Sequence, residues 1–148
     1  MDTKLNFEQL IEESHNVGDA RTKKANELKK KFFNEILPKF TMAMEKLDVE
    51  SVEFETKRPL TTNDYYLREP FSGYWVKVYS NGNIYEAKSI DPHPEGFEII
   101  YEEIAVEKKE LSFSGVIDIC EKIPERLKKL IERAEFETKE ANSITDEL

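Results

Sequence analysis

The apolar residues at the two ends of the chain recur at steps of three and four positions, the period of an amphipathic helix. A first short helix is predicted over residues 1–18, because Phe7, Leu10 and Ile11 share one face after a start near Thr3. Gly18 is expected to end it, since glycine adopts the left-handed conformation that closes helices.

A second, longer helix is predicted over residues 19–48. Asp19 is suited to cap its first turn. Pro38 lies within the stripe, where it removes one backbone donor and crowds the preceding turn, so a kink is expected near this residue. The apolar stripe continues past the proline and consists of Ala25, Leu28, Phe32, Ile36, Phe40, Met44 and Leu47.

From Ser51 the apolar positions alternate with polar ones, which is typical of a half-exposed strand. Val52, Phe54 and Thr56 form one face of this strand, and Pro59 ends it. The stretch from Leu60 to Gly73 reads as a loop, and loops of this length are often functional. Its aromatic residues are Tyr65, Tyr66 and Phe71.

The dipeptide Asn81-Gly82 predicts a β-hairpin, since both residues tolerate the positive φ of a type I′ turn. A two-residue loop sets Lys77 opposite Glu86 and Trp75 beside Lys88. The face expected to meet the helices consists of Tyr74, Val76, Val78, Tyr85 and Ala87. The face expected to meet solvent consists of Trp75, Lys77, Tyr79, Ile84, Glu86 and Lys88.

Alternation around Phe97 to Glu102 predicts a further strand, and a last short one is expected at Leu111 to Phe113. Ser114 would then cap a C-terminal helix over residues 114–136, which Pro124 divides or bends, before a frayed tail at 137–148. The order of elements predicts a single α+β domain over residues 1–148. Its sheet, within 51–113, has three to five antiparallel strands and carries helices on one face.

Composition and charge predict where the protein is found and what it does not bind. The chain of 148 residues is 36% charged with a net charge of -9, yet its nine Phe, six Tyr and one Trp predict a folded domain. A single cysteine excludes a disulfide framework, and no signal peptide or membrane segment is evident. A soluble, cytoplasmic protein is expected, and direct binding to nucleic acid is disfavoured by its charge.

Common catalytic motifs are missing from the sequence. The glycines are too scattered for a phosphate-binding loop, and His15 and His93 have no partners at metal-ligand spacing. Cys120 lies on a helical stripe, where a small buried apolar role is expected. No cofactor and no structural metal are therefore predicted.

One catalytic alternative rests on Asp64, Glu86 and Lys88. An upstream Asp with a strand-borne Glu-x-Lys resembles the core of the restriction-nuclease superfamily, which implies Mg²⁺ held by the carboxylates and a lysine that steadies the transition state. The same Glu-x-Lys spacing starts at Glu27, Glu55, Glu107 and Glu137, and that core also needs a helix between strands. The spacing is therefore weak support for a nuclease.

Acid is concentrated in the predicted sheet. Glutamates at regular spacing on strands could imitate a row of phosphates and occupy the basic groove of a nucleic-acid enzyme; they are Glu53, Glu55, Glu86, Glu98 and Glu102. The simpler interpretation is that the acid keeps the protein soluble. A basic run from Arg21 to Lys31 likewise has two interpretations, a contact for an acidic ligand or a solvated helix face.

The sequence thus predicts a non-enzymatic protein-protein interaction domain, in its sharper form an acidic inhibitor of a nucleic-acid-handling enzyme. The residues expected to bind the partner are Trp75, Tyr79, Glu86, Glu98, Glu102, Tyr65, Tyr66 and Phe71. Three alternatives remain open: the Mg²⁺-dependent nuclease, a homodimer through the aromatic face, and a small-molecule-binding or chaperone-like module with its pocket between helices and sheet.

Overall fold

The computed structural model describes residues 3–61, 74–90 and 100–148, with side chains at 6–61, 74–86 and 104–148. Along the chain, helices precede and follow four strands. The elements are α1 (Thr3–Lys31), a π-helical turn (Phe32–Ile36), α2 (Leu37–Lys46), β1 (Ser51–Thr56), β2 (Tyr74–Tyr79), β3 (Ile84–Ile90), β4 (Ile100–Ala105), a 3₁₀ turn (Lys108–Glu110) and α3 (Phe113–Glu147).

The strands form one antiparallel sheet in the order β1-β2-β3-β4, so each strand pairs with its neighbour in the chain. This confirms the predicted α+β class with an antiparallel meander and helices on one face. In β1 the predicted alternation is also confirmed, because Val52, Phe54 and Thr56 are buried while Glu53 and Glu55 are exposed. No helix within the described ranges is long and apolar enough to cross a bilayer.

The core lies between this sheet and the three helices. It joins inward residues of the strands to the stripes of α2 and α3, and its fully buried members include Phe32, Met44, Val76, Val116 and Ile119. The helix α3 runs antiparallel to β1, since Arg58, just after the strand, contacts Asp118, whereas Glu53 and Glu55 lie near residues 122–129 of α3.

The predicted helix end at Gly18 is wrong, because α1 continues through this residue to Lys31. A glycine inside a helix costs only about 1 kcal/mol relative to alanine. Ending the helix there would also require a left-handed residue, and the only glycine with positive φ in the described part of the chain is Gly82.

At Pro38 the helix continues but changes its hydrogen bonding. The backbone N–H of Leu37 donates to the carbonyl of Phe32, a bond that spans five residues instead of four. This wider turn accommodates a proline that has no N–H of its own and whose ring would crowd an ordinary α-helical turn. The predicted disturbance near Pro38 is therefore present as a π-helical turn.

The helix α3 differs from its predicted bounds at both ends. Its cap is Ser112 and not Ser114: the Ser112 hydroxyl oxygen accepts from the backbone N–H of Gly115 at 3.0 Å. It is one helix through Pro124 to Glu147, so the proline does not divide it into two segments, and the predicted tail at 137–148 is helical as far as Glu147. Buried Ile119, Ile123 and Leu130 hold it to the body on both sides of the proline. The predicted strand at Leu111 to Phe113 is reduced to one bridge between Leu111 and Thr61.

The predicted hairpin register is off by one residue. Val76 pairs with Glu86, Lys77 with Tyr85 and Val78 with Ile84. The turn holds three residues, because the N–H of Tyr79 donates to the carbonyl of Asn83 and only Gly82, at φ 94°, is left-handed. A slip of one residue exchanges the faces of β3. Ile84 and Glu86 are therefore buried, and Tyr85 lies on the outer face.

Candidate functional site

The carboxyl of Glu86 lies in the core beside apolar Val76 and Val78, with no solvent exposure. Its Oε1 accepts the backbone N–H of Leu60 at 2.9 Å, and its Oε2 forms a short hydrogen bond with the hydroxyl of Thr61. Both partners belong to the chain that leaves β1. Glu86 therefore fastens this segment under the sheet.

The segment after β1 is also bound to the start of α3. The backbone N–H of Ser112 donates to the carbonyl of Leu60 at 2.7 Å, and the Ser112 hydroxyl donates to that of Pro59 at 2.6 Å. Gly115 packs directly on the same backbone: a Cβ built on it would lie 2.2 Å from the Pro59 oxygen. Sheet, segment and helix thus meet at one closely packed point.

An ion pair closes this junction at the surface. The guanidinium of Arg58 donates to both carboxylate oxygens of Asp118, at 2.7 and 3.2 Å, and the Arg58 backbone N–H donates to Oδ2 at 2.9 Å. The hydrogen bonds from Arg58 lower the pKa of Asp118. Burial acts in the opposite direction on Glu86, and its pKa is raised above 4.5 because desolvation outweighs the bonds from Thr61 and Leu60.

The nuclease alternative requires Asp64, Glu86 and Lys88 to lie together around a metal ion. Asp64 lies outside the described residues. Glu86 is enclosed and already bonded, so it cannot reach a metal ion at the surface without leaving Leu60 and Thr61. Lys88 lies on β3, where it pairs in register with Glu102 of β4. Within the described ranges no three His, Cys, Asp or Glu side chains gather as a metal site.

The prediction that Glu86 belongs to an exposed acidic row is wrong, because its side chain is buried. Its predicted pairing with Lys77 is also wrong, since Glu86 pairs with Val76. The direct cross-strand neighbour of Lys77 on β1 is Glu53, and that of Trp75 is Glu55. Glu102 lies on β4, whereas Glu98 falls outside the described residues, as do three predicted aromatic contacts, Tyr65, Tyr66 and Phe71. Phosphate mimicry by the whole sheet face stays a prediction.

The outer face of the sheet retains an aromatic group. Trp75 is 38% exposed, and the rings of Tyr79 and Tyr85 meet edge to face with centroids 5.3 Å apart. The ammonium of Lys77 lies 5.1 Å from the centre of the Tyr79 ring. Two predicted contact residues, Trp75 and Tyr79, therefore share a face with Tyr85, which the observed register of β3 places on this side of the sheet.

The first half of α1 projects from the body. Every side chain from 6 to 24 is exposed, and Ala25 is the first buried residue of the helix. This exposed part, which we call the N-terminal arm (residues 6–24), still carries large apolar side chains on one face. They are Phe7, Leu10, Ile11 and Val17, with exposed fractions of 64, 60, 44 and 59%.

The last part of α3 forms a second projection. From 131 to 148 every side chain is exposed except the half-buried Ala134, and the apolar residues include Ile131, Phe136 and Ile144. The sequence pattern identified a shared helical face of Phe7, Leu10 and Ile11 but did not indicate that this face is exposed. Helical periodicity reports the direction of an apolar face and contains no signal for what covers it.

The basic run on α1 lies partly in an open groove. Lys29 and Lys30 line it together with Asn26, and the 3₁₀ turn contributes Lys108 and Lys109. Lys109 also contacts Glu107 at 3.2 Å. Within the arm, the Arg21 guanidinium lies 5.0 Å from the centre of the Phe113 ring, so this residue anchors the base of the arm on α3.

Cys120 is half-buried on α3. Burial raises the pKa of its thiol to about 11, so the reactive thiolate is disfavoured at neutral pH.

Comparison of the chain with protein-family models, curated proteins and solved structures gave no significant match.

Proposed function

We propose that this chain is a non-enzymatic protein-protein interaction domain and that its N-terminal arm is a principal contact. The observation that carries the proposal is the row of exposed Phe7, Leu10, Ile11 and Val17 on a helix whose side chains are all exposed from residue 6 to 24.

The energetics favour a partner for this arm. In proteins most of the stability of a helix comes from packing of its apolar face, and the apolar row of the arm is exposed. Burying one large apolar side chain contributes about 1.5 to 3 kcal/mol. A groove that covers the row would therefore stabilise both the complex and the helix, which is the way amphipathic helices bind in apolar grooves.

The charges on the arm indicate what surrounds such a groove. Glu8, Glu12 and Glu13 lie on the same turns as the apolar row and are exposed. A partner with basic residues at the rim of the groove would complement them and associate faster at low ionic strength. That chemistry fits the nucleic-acid-handling enzyme that the acidic composition predicts as partner.

The proposal is tested by affinity capture with a paired set of variants. Leu10→Asp with Val17→Asp places charge within the apolar row. Gln9→Asp with Asn16→Asp adds the same charge outside the apolar row, because each residue is turned by about 100° from its counterpart. We expect wild type and the control pair to retain one stoichiometric partner and the first pair to lose it. Equal retention by both pairs would refute the arm as the contact.

A salt series tests the partner class. If the rim is basic, the association rate measured by surface plasmon resonance falls as ionic strength rises, while dissociation changes little. An association rate that does not depend on salt would exclude electrostatic docking to a basic enzyme.

A further inference from the structure

The strand β1 is an edge of the sheet. Among the described residues its ladder partner is β2 alone, so one side of its backbone is free of a strand neighbour. An edge of this kind can accept another chain as an added strand. A groove of about 390 Å³ follows this edge, and it is lined by Glu53, Phe54, Glu55, Trp75, Lys122, Glu125, Arg126 and Lys129.

The two walls of the groove carry opposite charge. On the helix wall, Lys129 is paired with Glu125 at 3.7 Å, whereas Lys122 and Arg126 form no ion pair with any described residue. The Nε of Arg126 is buried without a hydrogen-bond partner in the described part of the chain. The sheet wall has exposed Glu53 and Glu55. The helix wall therefore offers donors to an acid, and the sheet wall offers acceptors to a base.

The spacing on each wall matches an extended peptide. Lys122 and Arg126 are four residues apart on α3, a rise of about 6 Å. Side chains two residues apart on a strand point the same way and are separated by about 6.8 Å. Glu53 and Glu55 have that strand spacing. Because α3 runs antiparallel to β1, a strand added beside β1 would pass along both pairs.

We propose that this groove binds an extended segment of a partner protein, added to the sheet at β1, in which acidic residues facing α3 alternate with basic residues facing Glu53 and Glu55. Backbone bonds to the edge supply affinity and the alternating charges supply register, as in other cases of strand addition. Trp75 lines the groove and is partly exposed, so it offers an aromatic contact for the bound segment.

The test uses the only tryptophan of the chain as reporter. The probe is an acetylated and amidated peptide of eight residues that alternates Glu and Lys. Its control has the same composition, with four Glu followed by four Lys. As an extended strand, the control cannot place all its Glu side chains on one face and all its Lys side chains on the other. Full-length protein is titrated to millimolar peptide while Trp75 emission is recorded. We expect the alternating peptide to bind at least about tenfold more tightly than the block peptide.

Protein variants locate the binding. Lys122→Glu removes one free cation of the helix wall and should weaken the alternating peptide about tenfold. Lys128→Glu makes the same charge change on an exposed residue of α3 that does not line the groove, and it should leave affinity unchanged. Circular dichroism verifies that both variants fold.

Three results would overturn the proposal: no change in Trp75 emission with the alternating peptide, equal affinity for both peptides, or equal weakening by Lys122→Glu and Lys128→Glu. The arm lies outside the groove, so loss of partner capture in the Leu10 and Val17 pair would leave this test unaffected.

Discussion

Glu86 is an ionisable residue in an apolar core. Its carboxyl is fully buried and is bonded to the segment after β1. Its raised pKa means that, from about 4.5 upward, the native state binds more proton than the unfolded state until the folded pKa is passed. The contribution of this group to stability therefore falls as pH rises through that window and does not recover above it.

Glu86→Gln should remove this dependence. The amide keeps an acceptor for the Leu60 N–H and carries no titrating proton. We expect the free energy of unfolding of the variant, relative to wild type, to increase from pH 4.5 to pH 8. Urea unfolding at a series of pH values measures the difference, in which the other carboxyls cancel. A constant difference across the range would contradict the prediction.

Gly115 is required by a close approach between two backbones. Any Cβ at this position would lie 2.2 Å from the Pro59 oxygen and 2.5 Å from the Leu60 Cα. Because backbone rather than a flexible side chain must move, Gly115→Ala should destabilise the protein by about 2 kcal/mol or more. Thermal unfolding provides the measurement, and a melting temperature equal to that of wild type would refute the contact.

At the scale of elements, the two long helices each have a packed part and an exposed part. The packed parts carry Phe32, Met44, Val116 and Ile119 into the core. The exposed parts owe little to tertiary contacts, so local propensity governs their stability. The same substitution should therefore have opposite effects in the two settings.

Gly18→Ala provides that comparison with Gly115→Ala. No atom lies within 4 Å of a Cβ added at Gly18, and alanine favours a helix over glycine by about 1 kcal/mol. We expect amide hydrogen exchange in the arm to slow about fivefold, with the global melting temperature unchanged. Exchange at the wild-type rate would show that the arm is not helical at this residue in solution.

At the scale of the whole molecule, the core and the exposed apolar row of the arm lie in different parts of the chain. The described core begins at Ala25, whereas the proposed contact residues of α1 end at Val17. Arg21, near the base of the arm, contacts Phe113 of α3.

Removal of residues 1–18 should therefore leave the body intact and abolish partner capture. We expect the melting temperature to stay within about 2 °C of wild type, the shift for less than 1 kcal/mol in a chain of this size. The purified truncated protein is compared by calorimetry at low concentration, where self-association does not contribute. A decrease above about 5 °C would mean that the arm packs on the body.

The sequence by itself determined the element types and their order. Steps of three and four identify α1 to α3, and alternation at Val52, Phe54 and Thr56 identifies β1, because burial on one side imposes these periods. The turn signal at Asn81-Gly82 and the lack of a helical pattern between the strands predict an antiparallel meander, because parallel neighbours need a crossover that is usually a helix. These features depend on neighbours in the chain, which a sequence displays directly.

Only the tertiary structure decided the register of β3, the partners of Glu86 and the exposure of the arms. Asn81-Gly82 permits both a two-residue and a three-residue turn, and the choice sets whether Ile84 or Tyr85 enters the core. Gly18 and Pro124 read locally as helix ends, yet the helices continue through both. Packing between distant segments sets the register of β3 and holds α3 on both sides of Pro124. Gly18 lies in the exposed arm, where the helix continues because an internal glycine costs only about 1 kcal/mol.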